Sequence, residues 1–213
     1  MDVSAEMWDQ LHGAGNEHRF GRGQVVLRQG EPATHVLLLV SGRVKASLTL
    51  PDGEILLLAV RGPGELLGGM AVLGGDDRSA TVTTIEPCVM RALSAERFRA
   101  LVRTADLETE LLRRAMRRIR EGEVWRAETA SLPASSRVVR ALVRLAAPGT
   151  DDPVDVGLGQ VEVGQAVGLS RSVVAAELAK LREQGIVRTT RRRILITDPA
   201  RLRALAASGH GNV

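Results

Sequence analysis

The sequence predicts an α+β chain in three parts: a β-rich jelly roll, one long helix, and a C-terminal winged helix-turn-helix. Three observations predict it. Short β-prone runs alternate with glycine turns from Phe20 to Leu93, the pattern of a sandwich or barrel. Apolar residues then recur every four positions at Leu107, Leu111, Ala115 and Ile119, a helical stripe. Finally, Leu158 to Ile196 reads as helix, turn, helix, hairpin. The expected divisions are a jelly roll over 1–93 with an N-terminal helix, a long helix over 94–130, and a nucleic-acid-binding module over 131–213.

Composition narrows the classes. The chain has 213 residues, 44% hydrophobic and 25% charged, so it is globular rather than disordered. Its aromatics are Trp8, Trp125, Phe20 and Phe98, with no tyrosine, so its cores are built from Leu, Val, Ile and Ala. No apolar run approaches the roughly 20 residues that cross a bilayer. The opening Met1-Asp2-Val3-Ser4-Ala5-Glu6 has neither the basic nor the apolar region of a signal peptide. A lone cysteine, Cys88, excludes an intrachain disulfide and a cysteine cluster. A cytoplasmic chain with no membrane partner and no bound metal is expected. No Ser/His/acid or paired-carboxylate set stands out either, so no catalytic residue is assigned and an enzyme is not expected.

In chain order, Trp8 and Leu11 sit on a short amphipathic helix over residues 4–19. Strands are expected at Val25–Leu27, His35–Val40, Val44–Leu50, Ile55–Val60, Ala80–Ile85 and Cys88–Leu93. The Leu50-Pro51-Asp52-Gly53 segment carries turn chemistry. A helix from Ser94 to Ala127 follows, with acid in its first turn and Gly122 weakening it near its end. Its stripe of Leu107, Leu111, Ala115 and Ile119 wants a partner, and a symmetric copy supplies one. Packing against its own sandwich is the plainer alternative. Pro133 opens a further helix over Ala134–Ala147, Pro148 to Pro153 breaks it, and a last helix covers Pro199–Ala207.

The module after the break reads as a DNA reader. Val163, Ala166 and Val167 face a core from the first helix, and Val174, Leu178 and Leu181 from the second. Gly168-Leu169 makes the turn, and Ser170 is placed to cap the second helix. From Gln160 onward there are nine Lys/Arg against four Asp/Glu, whereas the rest of the chain carries twenty against twenty-one. Positive charge therefore concentrates where phosphate neutralisation needs it. The second helix is expected in the major groove, with Ser170, Arg171, Ser172, Ala175, Ala176 and Lys180 toward DNA and Arg171 as the base-reading residue. Arg188, Arg191, Arg192 and Arg193 form a basic wing for the backbone.

One stretch inside the β-rich half has chemistry of its own, Gly64 to Val82. Two glycine pairs flank a piece long enough for one helical turn, and Arg78-Ser79 opens a strand. Backbone N–H groups joined by a guanidinium make a phosphate cradle. A surface hairpin with Arg78 paired to Asp76 or Asp77 accounts for the residues equally well.

Together, Arg78-Ser79-Ala80-Thr81-Val82, Gly168-Leu169-Ser170-Arg171, the Gly23–Gly30 and Ser41–Val44 strands and the long helix resemble the cyclic AMP receptor protein/FNR family of transcription factors. The likeness covers nearly the whole chain. It implies a cyclic-nucleotide-binding-domain-like sensor, a homodimer joined by the long helix, a double-stranded palindromic operator, and contact with RNA polymerase when the factor activates. It also implies an effector site at Gly68, Gly69, Met70, Arg78, Ser79, Gly122 and Glu123. The departures are specific. Gly69 stands where cyclic-nucleotide binders carry a ribose-binding glutamate, and Glu65 serves only if the loop is threaded differently. Gly122 and Glu123 replace hydroxyl residues beside the base, and Ser172 and Ala176 replace a glutamate and an arginine on the reading helix. Cys88 alone cannot hold an iron–sulfur cluster, and His12, His18 and His35 match no haem ligand. The expectation is a homodimeric transcription regulator with an anionic or nucleotide-like effector, not responding to cyclic AMP in the usual way. A constitutive DNA binder, and a nucleotide-binding module acting through a protein partner, are the alternatives.

Overall fold

The computed structural model describes residues 5–104, 107–146, 153–190 and 193–208. The chain forms two compact units, Met1–Glu123 and Val124–Val213.

The first unit is a two-sheet sandwich flanked by helices. After α1 (Ala5–Ala14) come β1 (Asn16–Phe20), β2 (Val25–Leu27), β3 (His35–Ser41), β4 (Val44–Thr49), β5 (Ile55–Arg61), β6 (Leu66–Leu67), α2 (Gly69–Gly74), β7 (Thr81–Thr84) and β8 (Cys88–Ser94). One sheet runs β1-β8-β3-β6 and the other β2-β7-β4-β5, with antiparallel pairs throughout. The apolar run of β3 explains its central place. Leu37 and Leu39 enter the sandwich interior with Leu27, Val44, Leu67, Val82 and Met90. Val36 and Leu38 point the other way, into a second core with Leu11, Val72, Leu93 and Phe98. A strand covered on both faces needs no polar alternation.

Two elements differ from expectation here. Asn16–Phe20, expected at the end of the first helix, is a strand paired with β8. The single helix expected from Ser94 to Ala127 is two, α3 (Ala95–Thr104) and α4 (Glu108–Ser131). Leu107 lies outside both helices and is buried in the helix-side core, its N–H donating to Val102 O. Ser94 Oγ caps α3 by accepting from the Arg97 N–H at 3.2 Å.

The second unit contains the end of α4, then α5 (Ala134–Leu145), β9 (Val154–Asp155), α6 (Gln160–Val167), α7 (Arg171–Glu183), β10 (Val187–Thr189), β11 (Ile194–Ile196) and α8 (Pro199–Ser208). The hairpin β10-β11 is extended by β9 into a three-stranded sheet. Val163, Ala166 and Val167 on α6 and Val174, Leu178 and Leu181 on α7 are all buried, as their spacing predicts. Each buried Val or Leu here contributes about 1.5–3 kcal/mol. The two helices approach closely because position 164 is glycine: a Cβ there would lie 2.4 Å from Leu169 O.

No helix among the described residues is long and apolar enough to cross a membrane.

Candidate nucleic-acid interface and sensor site

The face expected to meet DNA is built by α7. Ser170 caps it, its Oγ accepting from the Val173 N–H at 3.4 Å, and also lies 2.9 Å from Ser172 Oγ. Burial of Val174, Leu178 and Leu181 turns Ser170, Arg171, Ser172, Ala176 and Lys180 outward, with Ala175 half-buried beside them. Lys180 Nζ bonds Glu177 Oε1 at 2.8 Å. Arg171 thus projects from the first turn of a rigidly seated helix. In the wing, Arg188 is exposed on β10, and Arg193 lies 3.6 Å from Asp155 on β9. Arg191 and Arg192 lie outside the described residues.

The last turns of α4 are tied to this unit by side chains that sequence reasoning missed. Trp125 Nε1 donates to Ala166 O at 2.9 Å, and the Arg144 guanidinium sits 5.2 Å over its ring. Glu128 takes Arg140 at 2.8 Å and also pairs with Arg144. Arg137 Nη1 donates to Thr129 O and Val167 O at 3.2 and 3.1 Å. Spacing on α4 and α5 could have shown the charges but not this pairing.

The expected effector residues do not converge on one cradle. Arg78 is 4% exposed. Its guanidinium donates to Gly68 O at 3.1 Å and to His35 O. It forms neither the open phosphate clamp nor the hairpin ion pair with Asp76 or Asp77. The approach is possible because Gly68, at φ +77°, has no side chain: a Cβ would meet Arg78 Nη1 at 2.3 Å. Ser79 is exposed. Gly69 and Met70 belong to another space, a cavity of about 410 Å³ lined also by Leu66, Leu73, Val102, Leu111, Leu112 and Arg118. A Cβ on Gly69 would point to Leu66 Cδ2 at 3.1 Å and Phe98 Cζ at 3.7 Å, into the helix-side core. Gly122 and Glu123 lie on α4 beyond Arg118 and do not line this cavity.

Glu65 is held by α4. Its Oε2 accepts from Arg114 at 2.8 Å and from Arg118 at 2.7 Å. Burial pushes its carboxyl up, but the charges of Arg118, Arg114 and Arg61 outweigh this and hold it below its ordinary value. Glu65 is therefore an ionised carboxylate held between two arginines of α4.

The stripe expected to face a second copy is split. Leu107 is buried and Leu111 packs against the same core. Ala115 lines the cavity. Of the four, only Ile119 is widely exposed, and it continues a different stripe with Leu112 and Met116 (63%, 46% and 50% exposed in chain order).

Remaining candidates have local partners. Cys88 is buried, and burial with the Glu86 charge pushes its thiol up to about 11. His12 Nε2 accepts from Arg91 Nε and its ring stacks on Trp8, His18 stacks on Phe20, and His35 Nδ1 lies 3.0 Å from Thr34 Oγ1. Among the described residues no group of three His, Cys, Asp or Glu could hold a metal ion.

Comparison with known proteins matches this geometry to a family. The cyclic nucleotide-binding domain family matches residues 17–105, and the Crp-like helix-turn-helix domain matches residues 136–205. The chain is 32% identical over 191 residues to a CRP-like cAMP-activated global transcriptional regulator of Mycobacterium tuberculosis, covering 86% of this chain and 84% of that protein. The chain belongs to the CRP/FNR family. A cyclic AMP receptor protein of Thermus thermophilus is 30% identical over 188 residues, 88% of this chain and 86% of the relative. The crystal structure of a CRP-family transcriptional regulator, also from Thermus thermophilus, superposes with a TM-score of 0.69 at 27% identity, covering 90% of this chain and 97% of that one. As a CRP/FNR protein, the chain is a DNA-binding transcription regulator with a sensor domain.

A cyclic nucleotide needs a cation for its phosphate and an acceptor for its ribose hydroxyl. Arg78 is turned onto backbone carbonyls, and Gly69 brings no carboxylate.

Proposed function

We propose that the chain is a homodimeric, sequence-specific regulator of transcription whose sensor answers to an effector other than cyclic AMP. The division of labour is a sandwich sensor, a connecting helix and a winged reader. The observation that carries the proposal is Arg78, buried against Gly68 O and His35 O beside a Gly69 that offers no ribose acceptor. Two relatives carry cyclic AMP in their names, but about a third identity leaves a pocket free to change. Losing a charge-assisted hydrogen bond costs roughly 1.5–3 kcal/mol, one to two decades of affinity. Titration calorimetry of nucleotide-free protein with cyclic AMP is expected to give a dissociation constant in the millimolar range. A value at or below about 10 μM, abolished in Arg78→Ala, would restore the usual ligand.

Leu112, Met116 and Ile119 support the homodimer. They lie one turn apart on the exposed face of α4, where a second copy would cover them. Ile119→Glu and Leu112→Glu are expected to give folded monomers in sedimentation equilibrium, because a buried unpaired charge is costly. A dimer intact in both variants places the seam elsewhere. The partner of the dimer is a double-stranded operator, with RNA polymerase as a further partner if the factor activates.

Arg171 is the base reader in this proposal. Arg171→Ala is expected to cost about 1–3 kcal/mol at the preferred site and to flatten preference at one base pair per half-site. Arg188→Ala is expected to weaken all sequences alike and to lower the salt slope by about one unit. Competition across a mismatch library, with a salt series, measures both. An Arg171 variant that ranks sequences as before removes the assignment.

A further inference from the structure

We propose that the groove between α2, α3 and α4 binds a small apolar monocarboxylate, with the acid on Arg118 and the apolar body along α2 and α4. This rests on the reading of the first unit as an effector sensor and names the chemistry of the effector.

The groove of about 410 Å³ is of small-ligand size. Leu66, Met70, Leu73, Val102, Leu111 and Leu112 make most of its wall. Met70 and Leu73 are exposed at the rim, and an unbranched methionine adapts readily to an apolar guest. The polar end is cationic. Arg118 is partly exposed, and its bonds to Glu65 Oε2 and Leu66 O both leave from Nη2. Among the described residues its Nε and Nη1 have no bonded partner, so they remain to donate to an incoming carboxylate. Glu65 holds that guanidinium in place, so little ordering is needed on binding. At the other end stands Glu108, which also lines the groove. It lies ten positions before Arg118 on α4, about 15 Å along the axis. A second acid at the far end of the ligand would meet this carboxylate, so the groove selects one acid group and not two. The site is separate from Arg78, whose guanidinium faces Gly68 O and His35 O. A ligand here would touch both α2, which opens the Gly68–Ser79 segment, and the α4 turns that carry the exposed stripe.

The 213-residue chain is titrated calorimetrically with decanoate below its micellar range, with decanol and the dicarboxylate sebacate in parallel. Decanoate is expected to saturate at one per chain, about tenfold tighter or more than either analogue. Arg118→Gln is expected to weaken it by about tenfold or more, Arg118→Lys to retain most of the affinity, and Leu73→Glu at the rim to weaken it as well. Circular dichroism and melting check that each variant is folded. Equal affinity for decanol, no saturable binding, or binding unchanged in both Arg118→Gln and Leu73→Glu overturns the proposal. So does a groove that takes no decanoate while Leu73→Glu converts dimer to monomer, which makes a second copy the occupant. Operator binding is measured on the same samples. Its absence from the wild type counts against the regulator reading and is distinct from every titration outcome.

Discussion

Glu128→Ala is expected to destabilise the DNA-binding unit by about 1.5–3 kcal/mol, the cost of losing charged hydrogen bonds at a partly buried site. Glu128 sits between Arg140 and Arg144, with its side chain 13% exposed. Removing it takes that one carboxylate from two guanidiniums, one of them largely buried. The loss should appear as faster hydrogen exchange in α6 and α7, with operator affinity falling for all sequences alike. The same group predicts a pH dependence. Burial pushes its carboxyl up, but bonds and charges from Arg144 and Arg140 outweigh this and hold it below its ordinary 4.5. A depressed carboxylate contributes stability that is fully present above the unfolded value and is lost as pH falls through the folded one. Stability of this unit is therefore expected to fall as pH drops below about 4.5, and Glu128→Gln should flatten that fall. A variant with unchanged exchange and an unchanged acid limb would show that the pair contributes nothing.

Gly164→Ala is expected to cost about 3 kcal/mol, at the upper end of ordinary overpacking. The added Cβ would lie 2.4 Å from Leu169 O. That neighbour is backbone, in the turn that sets α7 against α6, and its N–H already bonds Gly164 O at 3.1 Å. A flexible side chain could move aside; this carbonyl cannot move without shifting the reading helix. The melt should fall and DNA affinity with it, whatever the sequence. Gly122→Ala is the control. A Cβ there meets nothing within 4 Å, so the substitution should stabilise α4 by up to about 1 kcal/mol. If both alanines behave alike, close approach at Gly164 is not the cause.

Several elements were legible because their signal is local. Val174, Leu178 and Leu181 repeat with the helical period, and burial follows the repeat. Ser170 before Arg171 marks a helix start that the hydroxyl does cap. The apolar run at His35 to Val40 marks a strand without saying that both of its faces are covered. Strands β1, β6 and β9 escaped notice for a common reason. Each is two to five residues long, and each is defined by a neighbour far away in sequence: β8, β3 and β11. Asn16–Phe20 is almost wholly polar, so no hydrophobic alternation announces it.

The sites divide in the same way. Residue types and local spacing alone determined the sandwich, the helix-turn-helix and its following hairpin, because caps, turns and periodicity act over a few residues. Tertiary structure decided what each helical face and charge meets. The apolar repeat at Leu107, Leu111, Ala115 and Ile119 marks helix but is blind to which neighbour covers it, and folding turns Leu107 and Leu111 into the chain's own core while leaving Leu112, Met116 and Ile119 outside. Arg78 offers the same donors to a phosphate or to a carbonyl. Only the fold brings Gly68 O and His35 O within its reach, because a long side chain's partner is set by which distant backbone packs beside it.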